Sequence, residues 1–291
     1  MPNPESYSLT SALFINDRIK QYAWDSPEVL EAVATAGFRE TEIMAEGEAW
    51  NTPGTHDAAR IRKALEQFEI FPHTIHTPMS GVNLASTLEA IRKDGIARIG
   101  DAMRLLGELG GRTAVVHPTG WPGQDEPSFS LEYIGQAVEI VHRSVAELVP
   151  VAEETGIRIA LENLPAAGLP HRPLTSMQQL RAFIAAFPAE HVGLCLDTGH
   201  ARICGLDPAE QARIASERLF ALHLQDVDGE NDCHWIPNRG VINWSEFGSA
   251  LDAIEFSGAR TFEITNGNDT VEQAAEDCRA VKQRWQEKGM S

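Results

Sequence analysis

The sequence predicts a (β/α)8 barrel, and three observations carry that expectation. Short apolar runs alternate with longer segments of helical period, eight such runs can be placed, and seven of them carry an ionisable residue at or near the C-terminal end. Eight runs alone would also suit an open parallel sheet. The charged ends decide, because a core rarely tolerates charge, whereas a parallel barrel gathers its strand ends on one face, where active sites are assembled from different strands.

The runs are SLTSALF (8–14), ETEIM (40–44), FPHTIH (71–76), RTAVVH (112–117), IRIALE (157–162), VGLCLD (192–197), FALHL (220–224) and TFEI (261–264). Their ionisable ends are Glu42, His76, His117, Glu162, Asp197, His223 and Glu263. Between the third and fourth runs, residues 86–109 put Leu88, Ile91, Ile96, Ile99, Met103 and Leu106 near one helix face, with Gly110-Gly111 as the stop. Segments 131–154 and 270–286 follow the same period. No linker, low-complexity tract or close repeat interrupts the alternation. Residues 1–291 are therefore expected to form one domain, with flexible tails at about 1–6 and 287–291.

A chain of 291 residues with 43% hydrophobic and 23% charged content can bury a sizeable core. Its net charge of −18 argues against a protein built to neutralise phosphates, so nucleic acid is not the expected partner. The cysteines Cys195, Cys204, Cys233 and Cys278 form no CxxC pair and read as reduced thiols. The N-terminus shows no signal-peptide pattern and no stretch is apolar enough to span a membrane, so a cytoplasmic location is expected. Oligomeric state is hidden, and a homo-oligomer stays open.

Glu162, Asp197, His223 and Glu263 form the most economical metal set, three carboxylates and one imidazole on consecutive runs, at separations of 35, 26 and 40 residues. Such a set suits one hard or borderline divalent ion: Mn²⁺, Mg²⁺, Co²⁺ or Zn²⁺. Any one acid at a strand end is more often a cap or salt-bridge partner. Burying three carboxylates together without a cation would be prohibitive. His76, His117, His200, Asp232 and His234 could extend the site as substrate contacts or as ligands of a second metal. In LDTGH, Gly199 is expected to let the chain turn so that Asp197 and His200 both face the cavity. His56, His73, His142, His171 and His191 read as structural or surface residues, and Cys233 as outside the site.

Other chemistries fail on inspection. The stretch DVDGENDCH is too short of a calcium loop, because Gly229 comes fourth after Asp226 and Pro237 stands where the terminal glutamate should be. No GxGxxG follows a strand, and neither GxxxxGK[ST] nor GxSxG occurs.

With VVHP (115–118), ALEN (160–163), LDTGH (196–200), HLQD (223–226) and FEI (262–264) in this order and spacing, the chain resembles the xylose-isomerase-like TIM barrels, which hold sugar isomerases and epimerases together with endonuclease IV. In the sugar branch the resemblance implies that Glu162, Asp197, His223 and Glu263 hold one divalent metal. It also implies that Glu162 and Glu263 serve as acid and base while the metal stabilises an enediolate, the small carbohydrate substrate being a ketose or related keto-sugar. The ketose 3-epimerases carry an arginine six residues after the strand-seven histidine, where this chain has Gly229. The run HLQDVDGENDCHWIPNRG instead looks like HxxDxDGxxDxHxxPGxG of less characterised isomerase-like proteins, with Asn238 replacing the first glycine of PGxG. Dehydration or β-elimination of a keto-sugar by a lyase therefore stays open. The rival is a trinuclear zinc phosphodiesterase resembling endonuclease IV, for which additional Zn²⁺ would occupy His76, His117, Glu162, Asp197, His200, His223, Asp232, His234 and Glu263.

Overall fold

A computed structural model describes residues 7–13, 27–46, 50, 57–120, 133–166, 171–265 and 267–287. Eight parallel strands close on themselves in sequence order: β1 (Tyr7–Thr10), β2 (Glu40–Met44), β3 (Phe71–His76), β4 (Thr113–Val116), β5 (Arg158–Glu162), β6 (Val192–Asp197), β7 (Leu219–Leu224) and β8 (Ala259–Phe262). The barrel is sealed by β1–β8 pairing, with Ser8 opposite Thr261 and their hydroxyls 3.0 Å apart. The predicted barrel is therefore observed, and the open-sheet alternative is excluded.

Among the described residues the covering helices are α1 (Pro27–Thr35), α2 (Ala58–Phe68), α3 (Glu89–Glu108), α4 (Ile134–Thr155), α5 (Met177–Phe183), α6 (Thr198–Ile203), α7 (Pro208–Ala215), α8 (Trp244–Ala253) and α9 (Val271–Glu287). Side chains set several of their starts: Asp57, Ser176, Asp207 and Asn243 each accept a backbone N–H from the first turn of the helix that follows. At the far ends of α3 and α4, Gly110 and Gly156 take φ of 83° and 70°, a left-handed conformation that costs glycine no Cβ clash.

Three differences from expectation stand out, at β1, β8 and α3. The first run was expected to continue as strand to Phe14, but β1 stops at Thr10 and Ala12–Leu13 are helical, while Phe14 lies outside the described residues. The chain turns at Ser11, whose N–H donates to the Glu42 carbonyl and whose hydroxyl accepts from Met44 N–H. β8 is shifted toward the N-terminus, because Ala259 and Arg260 pair with Ala221 and Leu222, and Glu263 stands just past the strand. On α3, Leu88 is not on the buried face: it sits at the cap position and is 56% exposed, while Arg92, Gly95, Ile99, Met103 and Leu106 are buried. Of the expected tails 1–6 and 287–291, Glu287 is instead the last residue of α9, and the remainder lies outside the described residues, as do the helix start at 131–132 and His56.

The lower barrel is filled by small inward side chains. Val115, Ala160, Cys195, Ala221 and Ala259 form a buried cluster with Phe220. With the two-residue alternation of a strand, the next inward positions above Ala160, Cys195 and Ala221 are Glu162, Asp197 and His223. An apolar floor thus lies one layer beneath the ionisable residues. All four cysteines are free thiols, two of them buried.

Candidate metal centre

The nine sequence-predicted residues converge at the C-terminal mouth of the barrel as three donor groups: His76, His117 and Glu162; Glu162, Asp197, His223 and Glu263; and His200, Asp232 and His234. Within each group one ligand atom per residue lies within 4.8 Å of the others. Strand pairing explains the central group, since Asp197 stands opposite His223 in the β6–β7 register. Glu162 and Glu263 then close on that histidine, with carboxylate oxygens 3.2 and 3.1 Å from His223 Nδ1.

The histidines are held in a way that suits metal ligation. His76 Nδ1 lies 3.0 Å from the Thr77 carbonyl, His200 Nδ1 2.9 Å from the Asn163 carbonyl, and His234 Nδ1 3.0 Å from the Glu263 carbonyl. A carbonyl only accepts, so each Nδ1 carries the proton and leaves the Nε2 lone pair toward the cavity. His223 is turned the other way. Its Nε2 lies 3.2 Å from Glu42 and its Nδ1 faces Glu162 and Glu263.

The donor chemistry fits divalent cations. Glu162 is shared by two groups, its Oε2 is buried without a hydrogen bond of good geometry, and the five other residues of those groups, His76, His117, Asp197, His223 and Glu263, are all buried. Burying that much negative charge requires compensation, and a cation bound by Glu162 would supply it.

Sequence reading placed Glu42 in the ring of strand ends but gave it no role. It is fully buried, accepts from Thr74 Oγ1 at 2.7 Å, and fixes the His223 ring from behind. A register shift between Thr41 and Glu42 accompanies this placement. Glu42→Gln is expected to weaken metal affinity 10- to 100-fold while the fold persists, as loss of such a supporting carboxylate usually does. Metal titration of folded variant protein checks it, and unchanged affinity would contradict the role.

The loop after β7 was legible as charged but not as organised. Asp226 is fully buried and accepts from Val227 N–H, Ile242 N–H, Asn238 N–H and Trp244 Nε1–H at 2.8–3.2 Å. It also pairs with Trp235 as an antiparallel bridge, folding the segment back over the mouth. Asn238, which stands where the resembling pattern has glycine, adopts φ 75°. Asparagine tolerates that conformation better than most residues. Gly229, at φ 99°, turns the same loop.

Gln225 ties this loop to β6. Its Nε2–H donates to both Asp197 oxygens at 3.2 and 3.1 Å and to Asp232 at 3.0 Å, while its Oε1 accepts from His234 N–H. Gly199 was expected to allow a turn, but it lies inside α6, where Asp197 caps the helix by accepting from His200 N–H. Its smallness serves close approach instead, because a Cβ there would stand 2.5 Å from Gln225 Cδ. His73, expected to be structural, pairs with Glu40 at 2.7 Å in the lower barrel, away from the mouth.

Electrostatics distinguish the groups. Burial lowers the His117 pKa to about 4. For His200, His223 and His234 burial also opposes charging, but neighbouring groups outweigh it and raise all three: Asp197 and Asp232 beside His200, Cys195 with Glu263 and Glu42 beside His223, and Asp232 with Glu263 beside His234, which reaches about 9. His76 is raised in the same way by Glu162, Glu263 and Glu42. Burial would raise the carboxylates, yet the histidines hold Glu162 well below its usual range and Glu263 at about 2. Asp197 is pushed up to about 6 by burial, with Glu263, Glu162 and Asp232 adding to the effect.

These directions set a pH dependence. A histidine ligates only when neutral, so metal entering at His200 and His234 displaces two protons, whereas the His117 ring is already neutral near pH 7. Affinity at the His200–Asp232–His234 group should rise with pH below the His234 value of about 9, and more steeply than at the His76–His117–Glu162 group, where only the His76 ring is raised and the His117 ring is already neutral. Zinc competition against a chromophoric chelator between about pH 6 and 8 measures both slopes. Occupancy independent of pH would contradict the assignment.

A family description, xylose isomerase-like TIM barrel, matches residues 30–284. The chain is 27% identical over 249 residues to the uncharacterized protein MJ1311 of Methanocaldococcus jannaschii, covering 83% of this chain and 80% of the relative. It is 31% identical over 121 residues to D-psicose 3-epimerase of Enterocloster bolteae, covering 42% and 38%, and 25% identical over 203 residues to a probable endonuclease 4 of Carboxydothermus hydrogenoformans, covering 65% and 67%. A D-tagatose 3-epimerase-like protein superposes with a TM-score of 0.80 at 22% identity, covering 98% of this chain and all of that one. D-psicose 3-epimerase from Clostridium cellulolyticum H10 does so with a TM-score of 0.76 at 20% identity, covering 96% and 98%. No described helix is long and apolar enough to cross a membrane. With most of its length matched and its eight strands closed in order, the chain belongs to the xylose isomerase-like TIM barrel family.

Proposed function

We propose that the protein is a divalent-metal-dependent sugar isomerase or epimerase acting on a ketose or related keto-sugar. The observation that carries this reading is the central quartet, Glu162, Asp197, His223 and Glu263, gathered from successive strands at the barrel mouth. The likeness to D-psicose 3-epimerase and to an inosose isomerase of Bacillus subtilis supports the substrate class. A bound Mn²⁺, Co²⁺, Mg²⁺ or Zn²⁺ would supply electrostatic stabilisation of negative charge developing on substrate oxygens.

The chain's own groups handle the proton. Glu263 is the more accessible of the two glutamates at 9%, against 1% for Glu162, so its carboxylate meets a carbon acid entering from solvent first. Both glutamates start anionic, which suits proton removal next to a carbonyl. Return of the proton by the same carboxylate gives isomerisation on one face. Epimerisation requires the opposite glutamate to hold a proton beforehand. Elimination would follow instead if a leaving group departs before the proton returns.

A second reading has its own observation. The three donor groups, two of them bridged by Glu162, also suit three Zn²⁺ ions and phosphodiester cleavage, and the partial likeness to a probable endonuclease 4 agrees with it. The net charge of −18 weighs against DNA as substrate. Metal analysis combined with solvent-deuterium exchange into candidate ketoses separates the two. Metal-dependent exchange at the carbon beside the carbonyl supports the sugar reading. Three tightly held zincs with cleavage of abasic-site DNA and no exchange would overturn it.

A further inference from the structure

At the opposite end of the barrel a cavity of about 730 Å³ is lined by Gly110, Arg112, Arg158, Phe220, His73 and Gly258, among others. Its size lies in the range of small-molecule sites. Its charge is unusual for this chain, since the protein carries −18 overall but presents two guanidinium groups here. Neither Arg112 nor Arg158 has a carboxylate within ion-pair distance among the described residues. Glu217, which also borders the cavity, is engaged by Arg181, and the Glu40 carboxylate meets His73.

The arginines are placed by the sheet. Arg158 opens β5 opposite Thr113, the first residue of β4, and Arg112 immediately precedes Thr113. Arg158 Nη2–H donates to Thr113 Oγ1 at 3.3 Å, and its guanidinium carbon sits 4.3 Å from the Phe220 ring centroid. The Arg112 guanidinium lies 5.8 Å from the Phe71 ring centroid. Aromatic rings therefore hold both forks without consuming their hydrogen-bonding capacity. The walls stay open as well: a Cβ on Gly110 or Gly156 would meet nothing within 4 Å. Burial lowers the Arg158 pKa, and Arg112 lowers it further, so a bound anion would relieve an existing electrostatic cost.

One effect opposes an anion. The C-terminal ends of α3 and α4 point to this end of the barrel, and each contributes roughly half a negative charge that fades within a turn. Two full guanidinium charges outweigh two such ends. A carboxylate is satisfied by a single arginine fork, whereas a phosphate group offers three oxygens and up to two charges, enough for both.

We propose that this cavity binds a phosphate group borne by a small molecule, gripped between Arg112 and Arg158 at the barrel face remote from the donor groups. Titration of the purified protein with inorganic phosphate, followed by calorimetry, tests it. Binding to the unsubstituted protein should weaken at least 10-fold in Arg158→Gln and in Arg112→Gln, and acetate at equal ionic strength should not compete. Phosphate taken up at the metal groups would be retained in both variants, so the difference between proteins isolates this cavity and is independent of the sugar reading. Arg112 is exposed, which keeps its variant informative if loss of the Arg158–Phe220 contact impairs folding. Absence of phosphate binding, unchanged affinity in Arg112→Gln, or equal competition by acetate would overturn the proposal.

Discussion

Glu162→Gln is expected to lower metal-dependent turnover by about 10² to 10⁴ while leaving the barrel folded, the range associated with loss of a positioned acid–base group. The substitution keeps the shape and removes one negative charge. That charge is shared: Glu162 belongs to two donor groups, and its oxygens approach His117, His200 and His223 at 3.2, 3.3 and 3.2 Å. Those histidines hold the carboxylate anionic against burial, so the neutral amide is a poor substitute both as ligand and as proton acceptor. Metal content and turnover should fall together, with circular dichroism unchanged. A variant that keeps full metal and full turnover would remove Glu162 from both roles.

Asp226→Ala is expected to cost about 3 to 5 kcal/mol of stability, because four donors lose a charged acceptor in a buried setting. Its functional effect should be selective. Asp232 and His234 lie on the segment that Asp226 folds back, whereas the central quartet and His76–His117 are carried by the strands and their immediate ends. Any metal held by the His200–Asp232–His234 group should therefore be lost before metal held by the central quartet. Urea unfolding gives the first quantity, and metal stoichiometry measured on folded protein gives the second. Equal loss from all groups would mean that the loop supports the entire mouth.

How much of this the sequence disclosed follows from the range of each interaction. The strand order and the charged ends were readable, since each βα unit writes its own apolar run and all but the first add a terminal acid or imidazole. The end of β1 was not, because the run SALF is apolar enough for a strand and only contacts with Glu42 and Met44 reveal the turn at Ser11. Glu42 was visible as an acid but not as the support of His223, its partner 181 residues away. Gly199 was noticed for its conformational freedom, while its actual constraint is the side chain of Gln225 on the next strand's loop. Asp226 sat in a crowd of acids, and nothing local distinguishes a residue with four donors from a solvated neighbour.

The loop folded onto its own aspartate makes one donor group depend on a segment outside the strands. Asp226 takes its hydrogen bonds from residues 227–244, and the piece that delivers Asp232 and His234 is moored to the frame through Gln225, the Glu263 carbonyl, the Thr265 N–H and the Arg239 ion pairs with Asp269 and Asp277. Because Asp232 and His234 come from this stretch and the other donors from the strands, their immediate ends and the helix that follows β6, replacing it would remove one donor group from the mouth without redrawing any strand.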